Sequence, residues 1–261
     1  MREAQPILTG HLFAPLNDEL VALLRSLTPD EWNLPTVAGA WTVRDIACHL
    51  LDTALRRLSF DRDQHVRPMP PEALANGLGA FINNTNRDGV EFYRSFSAPM
   101  LIDMMDRYGA QQAAFLASKD PFAKATWSVS WAGEEESQNW FDVARELTER
   151  WHHQQQIRDA ANRDALHAPY LAPVIDAFVR ALPFTYRDVH ARVVVRVDDA
   201  TWSLVDGKLY EGEADAFDVR LSMSGDVAWR LFTKQKIAPK ALVDGDAALA
   251  APLLKMIAIV A

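Results

Sequence analysis

Glu149 and His153 sit four residues apart in the stretch Glu146 to Asp159, which reads as helix. At 3.6 residues per turn this spacing sets both side chains on one face, one turn apart, where a carboxylate oxygen and an imidazole nitrogen can share one cation. An ordinary solvated pair has the same spacing, so both readings stand on these two residues alone. A catalytic metal centre commonly takes three protein ligands, and two histidines with one carboxylate is a recurring set that leaves room for water or substrate. His49, on an earlier helix, completes such a set; at the edge of an apolar stripe it also fits a structural histidine at a core boundary. His152 points about 100° away from His153 and reads as a surface or supporting residue, with Glu146 as a fallback ligand. Asp52 and Arg56 follow His49 by one and two turns and read as solvated charges able to orient ligands, while Arg158 is the candidate for meeting an anionic group.

The elements that must position these residues follow from periodicity. Leu16, Leu20, Val21, Leu23 and Leu24 recur at helical spacing and predict a helix over Phe13–Ser26. Thr28-Pro29-Asp30-Glu31-Trp32 predicts one short helical turn. Thr42 is a good N-cap, and Asp45 three residues on completes a capping box for a helix reaching about Phe60, with Val43, Ile46, Ala47, Leu50, Ala54 and Leu58 as its core stripe. Asp61 to Gly79, with Pro68, Pro70, Pro71, Gly77 and Gly79, reads as a long connection. Further helices are expected over Ala80 to Phe96, Ala98 to Ala117, Ser137 to Arg163 and Pro169 to Leu182. In the helix over Ala98 to Ala117, Leu101, Met104, Met105, Tyr108, Gln112 and Phe115 are expected to face inward. In the long helix the apolar stripe Trp140, Val143, Ala144, Leu147 and Trp151 faces away from Glu149 and His153 by roughly 140° to 180°. A metal site there therefore needs a second element to cover that side.

Beyond Pro183 the period falls to two. Ala191 to Val197, Ala200 to Val205, Lys208 to Glu211 and Ala216 to Met223 read as strands, with Asp206-Gly207 as a hairpin turn. Helices over Gly225 to Phe232 and Gly245 to Val260 follow, with a strand at Lys240 to Val243 between them. The expected architecture is an N-terminal four-helix bundle, residues 1–185, followed by a small α+β domain, residues 186–261.

The chain has 261 residues, 49% hydrophobic and 24% charged, with a net charge of -8. That balance argues against a nucleic-acid backbone as partner, since phosphate binding needs a clustered positive surface. No apolar run approaches the roughly 18 residues of a membrane span and no signal-peptide core is present, so a cytoplasmic protein is expected, acting on a small molecule. Cys48 is the single cysteine. It excludes an internal disulfide and reads as a small core residue rather than a nucleophile.

Trp41-Thr42-Val43-Arg44-Asp45-Ile46-Ala47-Cys48-His49-Leu50, preceded by Thr28-Pro29-Asp30-Glu31-Trp32, resembles the start of the DinB-like superfamily, specifically the mycothiol-dependent maleylpyruvate isomerases. The resemblance implies that His49, Glu149 and His153 are metal ligands. It implies zinc as the metal, although two histidines and a carboxylate also suit iron or nickel. It further implies a low-molecular-weight, mycothiol-like thiol as cosubstrate and an isomerase or S-transferase reaction on a small electrophile such as a maleyl compound. Val193 to Ala261, with Gly245-Asp246, resembles the sterol-carrier-like domain fused to that bundle. The competing expectation is a non-catalytic protein that binds metal or a hydrophobic ligand. Gln154, Gln155 and Gln156 stand where the family carries acidic or aromatic residues, which marks a place for altered preference.

Overall fold

A computed structural model describes residues 1–65, 75, 77–233, 235 and 241–259. The prolines at 68, 70 and 71, and the expected element ends at Lys240 and Val260, lie outside those residues. Helix α1 spans Phe13–Ser26, as its leucine spacing predicts, and a 3-10 turn follows at Glu31–Asn33. Helix α2, Val43–Arg57, starts on a complete capping box: Thr42 Oγ1 accepts the Asp45 N–H at 3.3 Å and the Asp45 carboxylate accepts the Thr42 N–H at 2.9 Å. Such a cap is worth about 1 kcal/mol and fixes where the helix begins, hence where His49 sits two turns later.

Past Arg57 the helix widens into a π turn, Leu58–Arg62. Helix α3, Gly77–Tyr93, and helix α4, Ala98–Ser118, complete one side of the bundle. The inward face of α4 is Leu101, Met105, Gly109, Gln112, Ala113 and Leu116. Met104, Tyr108 and Phe115, expected there, are only half-buried, because that face is narrower than the spread of its apolar residues. At Gly109 a Cβ would come within 1.8 Å of Asn17 Oδ1, so the glycine leaves room for the buried Asn17 side chain of α1.

Helix α5, Asn139–Ala160, runs up the middle. It packs against α1, α2 and α6, and both of its faces are buried, the polar one included. The expected last helix is split in two, α6 at Leu171–Val179 and α7 at Leu182–Thr185, with Pro183 in the first turn of the second piece, where its missing N–H does no harm.

Among the described residues six strands form one mixed sheet in the order β1-β4-β3-β2-β5-β6. They are β1 (Arg2–Glu3), β2 (Val193–Val197), β3 (Ala200–Val205), β4 (Lys208–Glu211), β5 (Val219–Met223) and β6 (Leu242–Gly245). β2 and β5 pair in parallel and all other neighbours antiparallel. Asp206 and Gly207 both take positive φ in the β3–β4 turn, the geometry a two-residue hairpin requires. Helix α8, Gly225–Phe232, packs against α6, and helix α9, Ala247–Leu254, against β5 and β6. The architecture is thus a helical bundle followed by a small α+β unit. β1 was not foreseen: it adds residues from the start of the chain to the edge beside β4.

Two cores result. One joins α1, α2, α3 and α4 around Leu24, Ile46, Leu50 and Leu101. The other runs from Phe13 and Leu16 through Leu147, Trp151 and Phe178 into Val193, Val195, Leu221, Trp229 and Phe232 of the sheet and its helices. Trp151 and Trp229 meet edge to face at 5.4 Å, so α5 belongs to both halves of the fold.

Candidate metal centre

His49 lies on the part of α2 that crosses α5. Its Nε2 is 3.1 Å from Glu149 Oε1, and the same oxygen is 3.2 Å from His153 Nε2 one turn further along α5. One atom from each of the three residues lies within 4.8 Å of the others, close enough to hold a single ion. The missing cover over the Glu149/His153 face is therefore α2 itself.

His49 is 1% exposed, whereas the Glu149 side chain keeps 24% of its surface, so the cluster opens to solvent on the glutamate side. Trp41, just before the α2 cap, closes another side, its ring 4.9 Å from that of His49 and 6.0 Å from that of His153.

The protonation pattern follows from these contacts. Burial pulls the His49 pKa down, against the opposing pull of Glu149, and favours neutral imidazole. Burial acts to raise the Glu149 pKa, but the charge and hydrogen bond of His153 and the hydrogen bond of His49 outweigh it and hold the carboxyl well below its usual range. His153 Nδ1–H donates to Gln156 Oε1 at 2.7 Å. With Nδ1 held by Gln156, Nε2 is the ring nitrogen left to face Glu149 Oε1 and to serve as a metal ligand. Two imidazole nitrogens and a carboxylate oxygen converging on one point make a donor set that suits a divalent ion.

Gln156 had been grouped with Gln154 and Gln155 only as a departure from relatives. Its position three residues after His153, on the same helix face, is the signal that could have found its supporting role.

His152, expected as surface or support, is 2% exposed, which corrects the surface reading, since α5 is buried throughout Arg150 to Ile157. Its Nδ1–H donates to the Thr148 carbonyl at 2.8 Å and its ring lies 4.1 Å from that of His153; burial pushes its pKa down to about 3. Glu146 is engaged elsewhere. It accepts from Arg57 at 2.9 Å and from Gln112 at 2.9 Å, one turn away from the cluster.

Asp52 and Arg56 pair with each other at 2.6 Å, and Arg56 also donates to Asn86 of α3 at 2.8 Å. Asp52 is buried and Arg56 half-buried, rather than solvated. Arg158 is directed away from the three clustered side chains, its guanidinium on Glu19 Oε2 at 3.1 Å and the Asp164 carbonyl at 3.1 Å. Cys48 is fully buried, with its thiol pushed up to about 12 by burial and the charge of Asp45.

Sequence reading missed a buried ionic network beside the cluster. Arg57 binds Asp142 through two hydrogen bonds at 2.7 and 3.1 Å, reaches Glu146, and meets Asp61 of the π turn at 3.2 Å. Lys119 and Thr126 close on Asp61 from the other side. The π turn brings Asp61 to this point, in keeping with the tendency of such turns to occur where side chains must be re-aimed.

The family profile described as the mycothiol maleylpyruvate isomerase N-terminal domain matches residues 13–158, more than half the chain and all three clustered residues. The chain belongs to this family. Among solved structures, the crystal structure of a mycothiol-dependent maleylpyruvate isomerase superposes with a TM-score of 0.58 at 9% identity, covering 89% of this chain and 90% of that one. A histidine-to-alanine mutant of a mycothiol-dependent maleylpyruvate isomerase superposes with a TM-score of 0.56 at 9% identity, covering 87% and 88%. At such identity the structural likeness speaks for the fold, and it extends past the mycothiol maleylpyruvate isomerase N-terminal domain into the sheet. None of the curated proteins compared with the chain matches it. Among the described residues no helix is long and apolar enough to cross a membrane.

Proposed function

We propose that residues 1–185 form a metal-binding domain in which His49, Glu149 and His153 hold a divalent cation, zinc by family resemblance, and that the protein uses a low-molecular-weight thiol to attack a small electrophile such as a maleyl compound. The observation that carries this reading is the convergence of two imidazole nitrogens on one oxygen of Glu149, with His153 oriented by Gln156. A cation bound there supplies a Lewis acid that lowers the pKa of a thiol, so that the nucleophilic thiolate forms near neutral pH. The protein's own residues set the rest. His49, walled in by Trp41 and the α2 core, fixes one ligand direction; Gln156 fixes another; the exposed side of Glu149 leaves an approach for thiol and substrate.

In the isomerase form of the reaction the thiol adds to the substrate double bond, the resulting single bond turns, and elimination returns the thiol. In the S-transferase form the adduct is the product. Cys48 takes no part, because its buried, protonated thiol is a poor nucleophile.

Metal analysis tests the reading. Purified protein should bind about one equivalent of zinc, His49→Ala and Glu149→Ala should lose it, and thiol-dependent consumption of a maleyl substrate should follow metal content. Absence of stoichiometric zinc binding by folded protein would sink the assignment. A second reading, a hydrophobic-ligand binder, is favoured by a cleft of about 390 Å³ between α6 and the β2–β3 turn, walled by Leu171, Ile175, Val197 and Trp202. It predicts binding of an apolar ligand that is indifferent to chelators.

A further inference from the structure

His49 and Arg56 are seven residues apart on α2, two turns, so they project from the helix within about 20° of each other. They share one face. Asp52 marks the side of α2 that α3 covers, since a Cβ at Gly89 would stand 2.2 Å from its Oδ2, and Arg57, bound to Asp142 and Glu146, marks the side that α5 covers. On the helical wheel His49 and Arg56 fall between those two. Glu149 meets His49 on this strip, and both Glu149, at 24%, and Arg56, at 27%, keep part of their side-chain surface open to solvent.

Side chains on a helix tilt toward its N-terminus, and that direction decides which cation reaches the cluster. Arg56 tilts toward His49: its Nη2 lies 2.6 Å from the carboxylate of Asp52, a residue only about 4.5 Å beyond His49 along the axis. Burial is the chief cause of the lowered His49 pKa, and the positive charge of Arg56 adds to it, which sets the guanidinium within electrostatic reach of the cluster. Helix α5 runs antiparallel to α2, because His49 meets Glu149 while Arg57 meets Asp142. The same tilt therefore carries Arg145, one turn before Glu149, away from the cluster to Asp142 at 2.6 Å.

The other arginines of these two helices are occupied. Arg57 meets three carboxylates, Arg44 donates to the Phe96 carbonyl, Arg150 is enclosed in the core and Arg158 bonds Glu19. Arg56 has capacity left. Its Nη2 takes both Asp52 and Asn86 Oδ1, the latter at 2.8 Å, whereas its Nη1 has no partner among the described residues. Asn86 thus holds the guanidinium in place with one nitrogen still to donate, and a planar guanidinium is well matched to a carboxylate. A molecule of about four carbons is long enough to touch both this group and the cluster.

We propose that Arg56 selects an anionic substrate, its Nη1 donating to a carboxylate of the electrophile whose double bond lies beside His49 and Glu149. The identity of that electrophile rests on the metal-and-thiol reading; the preference for a charged over a neutral one rests on Arg56.

Calorimetric titration of maleate, and of its neutral diamide maleamide, into full-length protein without thiol reads binding alone, with zinc present and after chelator treatment. Maleate should bind at least about tenfold more tightly than maleamide. Arg56→Gln should weaken maleate by roughly ten- to a hundredfold in both preparations, the share of a charged hydrogen bond, and leave maleamide where it was. Arg56→Lys should recover part of the loss, which a merely structural role would not predict. The proposal is overturned if the parent protein does not bind maleate, if maleamide binds as tightly, or if Arg56→Gln binds maleate as the parent does. A parent that binds maleate through Arg56 but takes up no zinc would sink the metal-and-thiol reading and leave the Arg56 contact in place, so the two failures are told apart.

Discussion

Glu149 Oε1 lies 3.1 Å from His49 Nε2, across the contact between α2 and α5 and across 100 residues of chain. His153 joins them on the strength of the Gln156 hydrogen bond, which settles which ring nitrogen faces the carboxylate. Gln156→Ala should therefore weaken zinc binding by roughly ten- to a hundredfold without unfolding the protein, the usual effect of removing the partner that orients a ligand. Competition with a chromophoric chelator measures it; an unchanged affinity would mean that Gln156 does not orient the ring.

Arg57 is the hub of the buried network, with the Asp142 side chain wholly enclosed and Glu146 nearly so. Replacing it by methionine keeps much of the volume but removes the main cation from both carboxylates, leaving Asp142 to Arg145 and Glu146 to Gln112. A loss of about 3–5 kcal/mol in urea unfolding is expected. A loss below about 1 kcal/mol would show that water or rearrangement satisfies the acids.

His152 gives the metal-free protein a pH signature. Its folded pKa, about 3, lies below the usual histidine value, so between those limits the unfolded chain takes up a proton that the folded chain refuses. Stability is then fully present above about pH 6.5 and falls on acidification toward pH 3, with a slope of up to about 1.4 kcal/mol per pH unit from this group. Chelator-treated His152→Gln should show a shallower decline between pH 6.5 and 4. If its profile parallels the parent protein, His152 is not the group responsible.

Cys48, buried on α2 with its thiol pushed up to about 12, should resist a disulfide reagent in the folded state and react once denaturant is added. Cys48→Ala should retain thiol-dependent turnover. Rapid modification of native protein would contradict the burial.

The sequence made α1, the α2 cap and most of the strands legible because each is a local signal: leucines at helical spacing, Thr42 with Asp45, the run of β-branched valines in β2. His49, Glu149 and His153 were legible as candidates through residue type and resemblance, and their meeting needed the fold. The enclosure of α5 was not legible. Asp142, Glu146, Arg150 and His152 look like a water-facing side until their partners on other elements are known, and Arg57, Gln112 and Leu50 come from far away in the chain. β1 is two residues long, too short to show a period, and exists only because β4 offers an edge.

The burial of α5 also bears on how an ion would enter and leave. An element packed against three other helices is among the last to open in spontaneous fluctuations, so its amides should exchange with solvent deuterons near the rate set by global unfolding. Fraying of the element that carries Glu149 and His153 is then no exit. An ion bound there would have to pass the exposed side of Glu149 instead, and the lifetime of the loaded protein would be a property of that doorway, separable from the stability of the fold.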